Sequence, residues 1–256
     1  RLQGSEGTTV DIGVLHKDGV TQSYRLVRRH VDVDSVTKAE FVDQVGRIGY
    51  IQLTGFQKTS PEEIDAAVAD LSRQGMRALV LDLRGNPGGL LNVAVEIADR
   101  FVSQGVIVST RGRAAGQNQV FRATGQGRWN FPLLILIDHD SASASEILAG
   151  ALQDHHRAIV VGERSYGKGS VQSIFSLHSA PAGLKLTTAK FYSPKNRPYS
   201  EQGVSPDIPI KTRVSAKPTP GASAAPAEDV QRGDPSADMV LAAAIRAAKD
   251  QLNPSR

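Results

Sequence analysis

The segment ALVLDLRGNPGG, at residues 78–89, joins a continuous apolar run to a turn rich in glycine. An uninterrupted apolar strand is typical of a sheet that is covered on both faces by helices. Two more such runs follow, LLILI at 133–137 and AIVV at 158–161. Helical patterns come after the first two runs, at 90–102 and 144–152. This succession of strand, tight turn and helix predicts an α/β core.

Polar and apolar residues alternate on either side of this core, which predicts additional β-strands. Residues 8–31 have the pattern of a β-hairpin that turns at Asp18-Gly19. Residues 48–53 and 184–191 each have the pattern of one strand. We therefore expect a mixed α/β protein with β-structure outside the central sheet.

The sequence also predicts two outer helices and a linker. Ser60 is expected to cap a helix that runs to Leu71 and has proline in its first turn. Residues 215–233 are rich in Ala, Pro and Ser, a composition typical of a flexible linker. Asp234-Pro235 then opens a last helix, predicted at about 236–252.

The composition excludes several function classes. The chain has 256 residues and a net charge of +4, and its basic residues are scattered rather than grouped into a nucleic-acid face. It contains no cysteine, which excludes disulfides, thiolate zinc sites and a cysteine nucleophile. No apolar run approaches the ~20 residues of a membrane span. Because the chain starts at Arg1 rather than Met, we interpret it as a mature or trimmed fragment.

The segment IDHDSASASE, at residues 137–146, connects a predicted buried strand to a helix and holds three serines. A serine at such a turn projects near a helix N-terminus, where free amides and the helix dipole can stabilise an oxyanion. Serine and aspartate are also favoured helix caps, so a purely structural interpretation stays open.

A serine nucleophile needs a base. His155-His156 lies about 18 Å from the start of the helix at 1.5 Å per residue, too far for contact with Ser143. His139 is near in sequence, and strand alternation could aim it elsewhere. The other candidate is Lys168, in the glycine-flanked loop GERSYGKGS at 162–170. A desolvated lysine loses its charge more easily and can then accept a serine proton.

The same loop nearly matches the phosphate-binding pattern G-x-x-x-x-G-K-[ST]. The match fails at Gly169, where a hydroxyl must ligate magnesium, and the residues that follow alternate like a strand. The turn at 84–89 also lacks the order G-x-G-x-x-G. Its glycines instead allow a backbone amide to approach a ligand closely.

Four ordered motifs together resemble the carboxyl-terminal processing proteases, also called tail-specific proteases, which are serine peptidases with a Ser-Lys dyad. They are LDLRGNPGG at 81–89, SASASEI at 141–147, QD at 153–154 and VGERSYGKGSVQ at 161–172. The resemblance runs from about residue 33 to 212 and returns in the last helix.

The resemblance implies the catalytic residues position by position. Ser143 corresponds to the nucleophile, Lys168 to the general base and Gln172 to the residue that orients the base. Because Lys168 and Gln172 are four residues apart, we expect both to face the same side of an extended strand.

The resemblance also implies an oxyanion hole formed by the amides of Gly89 and Ala144, with Gly88 as the alternative to Gly89. Asp154 matches an acidic position that we assign to structural support near the site. No metal or organic cofactor is implied.

The fold implied by the resemblance is a spiral α/β core like those of crotonase and the caseinolytic protease, with additional β-strands. The expected domains are the C-terminal remnant of a PDZ domain at 1–31, the protease core at 32–213, a flexible linker at 214–234 and a helix at 235–256 that packs on the core.

The implied function is cleavage of proteins near their carboxyl termini through a Ser-Lys acyl-enzyme. The partners would be proteins or peptides with unstructured C-terminal tails, and not nucleic acid. Members of this family are exported to the periplasm or cell envelope, or to the thylakoid lumen. Two rivals stay open: a non-catalytic protein that binds peptides or hydrophobic ligands on the same fold, and a crotonase-like acyl-coenzyme A enzyme.

Overall fold

The computed structural model of the protein describes residues 2–29, 33–125, 127–177, 182–211 and 232–253. They form two compact units, Arg1–Asp34 and Ser35–Arg256. Residues 214–231 of the predicted linker lie outside the described residues. No helix within the described ranges is both long and apolar enough to cross a membrane.

The smaller unit is an antiparallel hairpin of β1 (Thr9–Leu15) and β2 (Thr21–Val27), as the alternation predicts. At its turn the Asp18 carboxylate accepts a hydrogen bond from the amide of Val20 over 3.1 Å. Gly19 takes a φ of 82°, in the left-handed region that favours glycine.

Within the residues that the structure describes, the larger unit contains two sheets and four helices. Its strands are β3 (Val36–Asp43), β4 (Ile48–Leu53), β5 (Ala78–Asp82), β6 (Val106–Gly112), β7 (Gln119–Arg122), β8 (Leu133–Ile137), β9 (Ile159–Gly162), β10 (Ser170–Ser176), β11 (Gly183–Tyr192) and β12 (Ile208–Pro209). Its helices are α1 (Ser60–Arg73), α2 (Leu91–Asp99), α3 (Ala144–Asp154) and α4 (Met239–Leu252), with a 3-10 turn at Ala115–Gln117.

The central sheet has the strand order β12-β9-β8-β5-β4-β3, and every strand is parallel to its neighbours except the antiparallel edge strand β3. The second sheet is antiparallel, in the order β10-β11-β6-β7. The three apolar runs form the middle strands β5, β8 and β9, which confirms that they are buried. Strands β3, β6, β7 and β12 were not predicted from the sequence.

Side-chain alternation along β5 separates two apolar cores. Leu79 and Leu81 point to the face that α1, α2 and α3 cover. Ala78 and Val80 point to the opposite face, which α4 covers. Both faces of the strand are therefore dry, which is why its sequence is apolar at every position before Asp82.

Two helix starts differ from the sequence prediction. The N-cap of α1 is Thr59, and the buried Ser60 is already helical, its hydroxyl accepting from the amide of Gln57 over 2.7 Å. The last helix starts at Met239 because Asp238 caps it, accepting from the amide of Leu241 over 3.0 Å.

We expect Ile135→Ala to lower the free energy of unfolding by about 2–5 kcal/mol, because it opens a cavity in a fully buried strand. Val45→Ala is the control, since Val45 is 95% exposed, and its effect should stay within about 0.5 kcal/mol. Urea denaturation measures both. Equal stability of the two variants would contradict this account of the core.

Candidate active site

Residues 138–143 form the turn between β8 and α3, and Ser143 is the last residue before the helix. Ser143 has φ 58° and ψ −112°, a backbone conformation that residues other than glycine rarely adopt. Such a conformation costs about 1–3 kcal/mol and is held only where the surrounding structure enforces it. The fold therefore tolerates a destabilising backbone conformation at Ser143, which lies at the N-terminus of α3.

The structure distinguishes the three serines of the turn. Ser141 is fully buried, and its hydroxyl donates to the carbonyl of Leu83 over 2.8 Å. Ser145 is also fully buried and donates to the carbonyl of Asn86 over 2.9 Å. Ser143 is only half-buried. Ser141 and Ser145 thus fasten the turn to the segment at 83–86, and Ser143 is the serine that faces solvent.

The glycine-rich loop at 84–89 lies directly against this turn. A Cβ atom on Gly88 would come within 2.7 Å of the Ala142 carbonyl oxygen and 2.8 Å of both the Ala144 amide nitrogen and the Ser143 Cβ. Gly88 has a φ of 99°. Close approach and backbone conformation both require glycine here.

The amide hydrogens of the loop are not equivalent. The amide of Gly88 donates to the Asn86 side-chain oxygen over 2.8 Å, and the Asn86 side-chain nitrogen donates to the carbonyl of Leu53 over 2.8 Å. The amides of Gly89 and Ala144 donate to no group in the part of the chain that the structure describes. The unengaged Ala144 amide directly follows Ser143, and the unengaged Gly89 amide follows Gly88, which packs against the serine turn.

Glu146 connects the serine turn to the lysine loop, a role that was not predicted from the sequence. Its side chain is buried and accepts four hydrogen bonds. The donors are the Ser143 amide (2.8 Å), the Gly167 amide (2.6 Å), the Lys168 amide (2.8 Å) and the Ser165 hydroxyl (2.6 Å). The Ser-x-x-Glu spacing of a capping box, at 143–146, is the signal that could have identified it.

Lys168 is placed by its backbone, while its side chain is exposed. The desolvated lysine expected from the sequence is therefore not observed: Gly167 and Gly169 pack against the backbone of residues 199–201, and the described residues do not cover the Lys168 side chain. Within those residues no hydrogen bond joins the Ser143 hydroxyl to the Lys168 amine. Backbone hydrogen bonds fix the relation between the two residues: the amides of both bind Glu146, and the Tyr166 amide donates to the Ser141 carbonyl over 3.0 Å.

Gln172 lies in β10, with its side chain exposed and opposite Thr187. The strand begins at Ser170, so Lys168 precedes it and the alternation expected between the two residues does not apply. The pairing also shifts register between Val171 and Gln172. Among the described residues Gln172 has no hydrogen bond to Lys168.

Asp154 and His155 lie away from the serine turn, whereas His139 belongs to it. Asp154 ends α3, about 15 Å from the helix start at Ala144 at 1.5 Å per residue. Its carboxylate accepts from the Lys195 amide over 2.9 Å and pairs with Arg197. His155 contacts the carbonyl of Val106 over 2.7 Å. The His139 side chain is 76% exposed. Within the described ranges no group of His, Asp or Glu is arranged to hold a metal ion.

Comparison with known proteins places this arrangement in a family. The sequence model of peptidase family S41 matches residues 47–210, which include the glycine loop, the serine turn and the lysine loop. The chain belongs to peptidase family S41.

The chain is similar to curated carboxyl-terminal processing proteases. It is 38% identical to that of Synechocystis sp. over 209 residues, covering 81% of this chain and 48% of the relative. It is 39% identical to that of Bartonella bacilliformis over 227 residues, covering 85% of this chain and 50% of the relative. The chain thus spans about half the length of the curated relatives it matches.

The mixed α/β fold is similar to that of the photosystem II D1 C-terminal processing protease. The superposition has a TM-score of 0.63 at 30% identity and covers 81% of this chain and 56% of that protein.

We expect Glu146→Gln to lower the free energy of unfolding by about 1–3 kcal/mol. A carboxamide offers one acceptor oxygen where the carboxylate offers two, so at least one buried donor loses its partner. Glu62→Gln, an exposed change in α1, is the matched control. Denaturant titration of both variants is the measurement, and an unchanged midpoint for Glu146→Gln would contradict the role of this carboxylate.

Proposed function

We propose that this chain carries the catalytic core of a serine endopeptidase that cleaves proteins near their carboxyl termini through an acyl-enzyme on Ser143. The observation that carries the proposal is a strained, half-buried serine that packs against the glycine loop, with unengaged amides at Gly89 in that loop and at Ala144. Membership of peptidase family S41 supports the same chemistry.

In the proposed mechanism the Lys168 amine, uncharged, takes the proton of the Ser143 hydroxyl as the oxygen attacks the substrate carbonyl. The Gly89 and Ala144 amides donate to the oxyanion that forms. Lysine then gives the proton to the leaving amine, and the peptide bond breaks to leave an ester on Ser143. Water attacks this ester with lysine again as base, releasing the acid and restoring the serine.

The hydrogen bonds favour Gly89 over Gly88 as the first oxyanion donor, because the Gly88 amide is already bound to Asn86. We keep Gln172 as the residue that orients Lys168 once substrate is bound, since it follows the lysine loop on β10. Asp154 supports the bend that contains Lys195 and has no direct part in the chemistry.

The finer description of the fold belongs to the same proposal. We propose that the core, at 32–213, is a crotonase-like spiral and that the hairpin of β1 and β2 is part of a PDZ domain. The substrates would be proteins with unstructured C-terminal tails. We also propose export, to a bacterial periplasm or envelope or to the thylakoid lumen. The lack of cysteine suits export, and the relatives include chloroplastic peptidases of Arabidopsis thaliana.

One observation favours a second candidate, a peptide-binding protein without activity: no hydrogen bond joins the side chains of Ser143 and Lys168 in the described residues. Catalytic hydrogen bonds are often absent without substrate, so the geometry does not exclude activity. A covalent serine-directed probe separates the candidates, because only an activated Ser143 becomes labelled.

We expect Ser143→Ala and Lys168→Ala each to lower kcat on an unstructured, apolar-ended peptide by at least about 10³-fold. The double variant should lose little more, because the two residues act as a unit. Lys211→Ala, an exposed lysine, is the control and should retain turnover. Near-normal turnover by either single variant would contradict the assignment of Ser143 as nucleophile and Lys168 as base.

We expect Lys168→Arg to be inactive although its length and charge are close to those of lysine, since a guanidinium does not deprotonate in proteins. Circular dichroism should show an unchanged fold, and turnover of the same peptide is the measurement. An active arginine variant would place the base at another residue.

A further inference from the structure

Residues 232–253 return to the central sheet on the face opposite α1, α2 and α3. Helix α4 packs there against β5, β8 and β9 through an apolar side that includes Leu241, Ala244 and Ala248. The helix start brings Asp238, a buried carboxylate, beneath the end of β5. The glycine loop begins at that end, so the C-terminal segment contacts the first residue of this loop, Arg84.

Arg84 forms the first of two contacts between the glycine loop and the C-terminal segment. Its side chain is 5% exposed, and the guanidinium donates to Asp238 through two nitrogens, over 2.8 and 2.6 Å. It also binds Asp82 over 2.6 to 3.1 Å, and the Tyr50 hydroxyl donates to Asp82 over 2.7 Å. A planar guanidinium held by two carboxylates has a fixed orientation.

The pKa directions agree with this geometry. Burial acts to raise the pKa of the Asp238 carboxyl, but hydrogen bonds and the charge of Arg84 outweigh it, and the pKa lies below its ordinary value. Burial acts to lower the pKa of Arg84, and the two carboxylates raise it instead. Arg84 and Asp238 are therefore both charged inside the fold.

Arg232 is the second contact, and it reaches both loops of the site. One nitrogen donates to the carbonyl of Arg84 over 2.8 Å, and the other donates to the Asp138 carboxylate over 3.1 Å. Asp138 in turn accepts from the Gly85 amide over 2.9 Å and from the Ser141 amide over 3.1 Å. Arg232 thus links the glycine loop to the serine turn. The Lys38 amine donates a hydrogen bond to the backbone carbonyl of Arg232 over 2.9 Å.

We infer that the segment at 232–238 positions the two amides of the oxyanion hole, with Arg232 and Asp238 as positioning residues for Gly89 and Ala144. The inference rests on the proposed function. The path is short: Arg84 lies five residues before Gly89, and the Asn86 carbonyl between them accepts from the Ala142 amide over 3.0 Å. A misplacement of about 1 Å can cost about 10²-fold in rate.

The test uses the full chain with Arg232→Met, which removes both contacts from a side chain that is 38% exposed and so leaves the core intact. We expect kcat to fall about 10- to 100-fold while KM stays within about twofold, because oxyanion donors act in the transition state. Hydrogen exchange at residues 85–89, measured by mass spectrometry, should speed up. Arg246→Met, an exposed arginine on α4, is the matched control and should change neither quantity.

Asp238→Asn provides a second variant, with the same expected split between kcat and KM. An unchanged kcat in both variants, with or without faster exchange, would overturn the inference, as would a rise in KM alone. If wild-type protein shows no peptidase activity that Ser143→Ala removes, the proposed function fails. The exchange comparison then decides separately whether the C-terminal segment holds the loop.

Discussion

The Glu146 carboxylate is the contact on which the geometry of the candidate site depends. A buried carboxylate is costly unless hydrogen bonds replace its hydration, and here four donors do so. Three of these donors are backbone amides from two separate segments, the serine turn and the lysine loop. The same carboxylate that must be satisfied therefore also fixes the distance between the backbones of Ser143 and Lys168.

The central sheet brings a second set of constraints to the same place. Along β5 the side chains alternate between two covered faces, and Asp82 falls on the α4 face at the end of the strand. A charge at that position needs a partner, and Arg84 supplies it while also binding Asp238 of the C-terminal segment. The buried Glu146 carboxylate thus fixes the lysine loop to the serine turn, and the buried cluster of Asp82, Arg84 and Asp238 fixes the start of the glycine loop.

The sequence allowed the central strands, the helices and the identity of the loops to be predicted, because periodicity and local motifs are local properties. It did not allow the role of Glu146 in joining the two loops to be predicted, although the Ser-x-x-Glu pattern was present. The donors from the lysine loop lie about twenty residues away along the chain. The pair of Arg84 and Asp238 spans 154 residues, and no local pattern indicates it. The expected burial of Lys168 was wrong because glycines describe backbone freedom and say nothing of what covers a neighbouring side chain.

The site therefore divides into a part that the fold completes and a part that it leaves open. Backbone positions, the strained Ser143 and the two unengaged amides are fixed by buried groups, whereas the side chains of Lys168 and Gln172 are exposed. In the proposed mechanism a bound peptide would cover these side chains and exclude water, which strengthens electrostatic interactions within the site. Fixed amides and a movable lysine suit that sequence of events, because the oxyanion donors must be in place beforehand, while the base needs to meet the serine only when substrate is present.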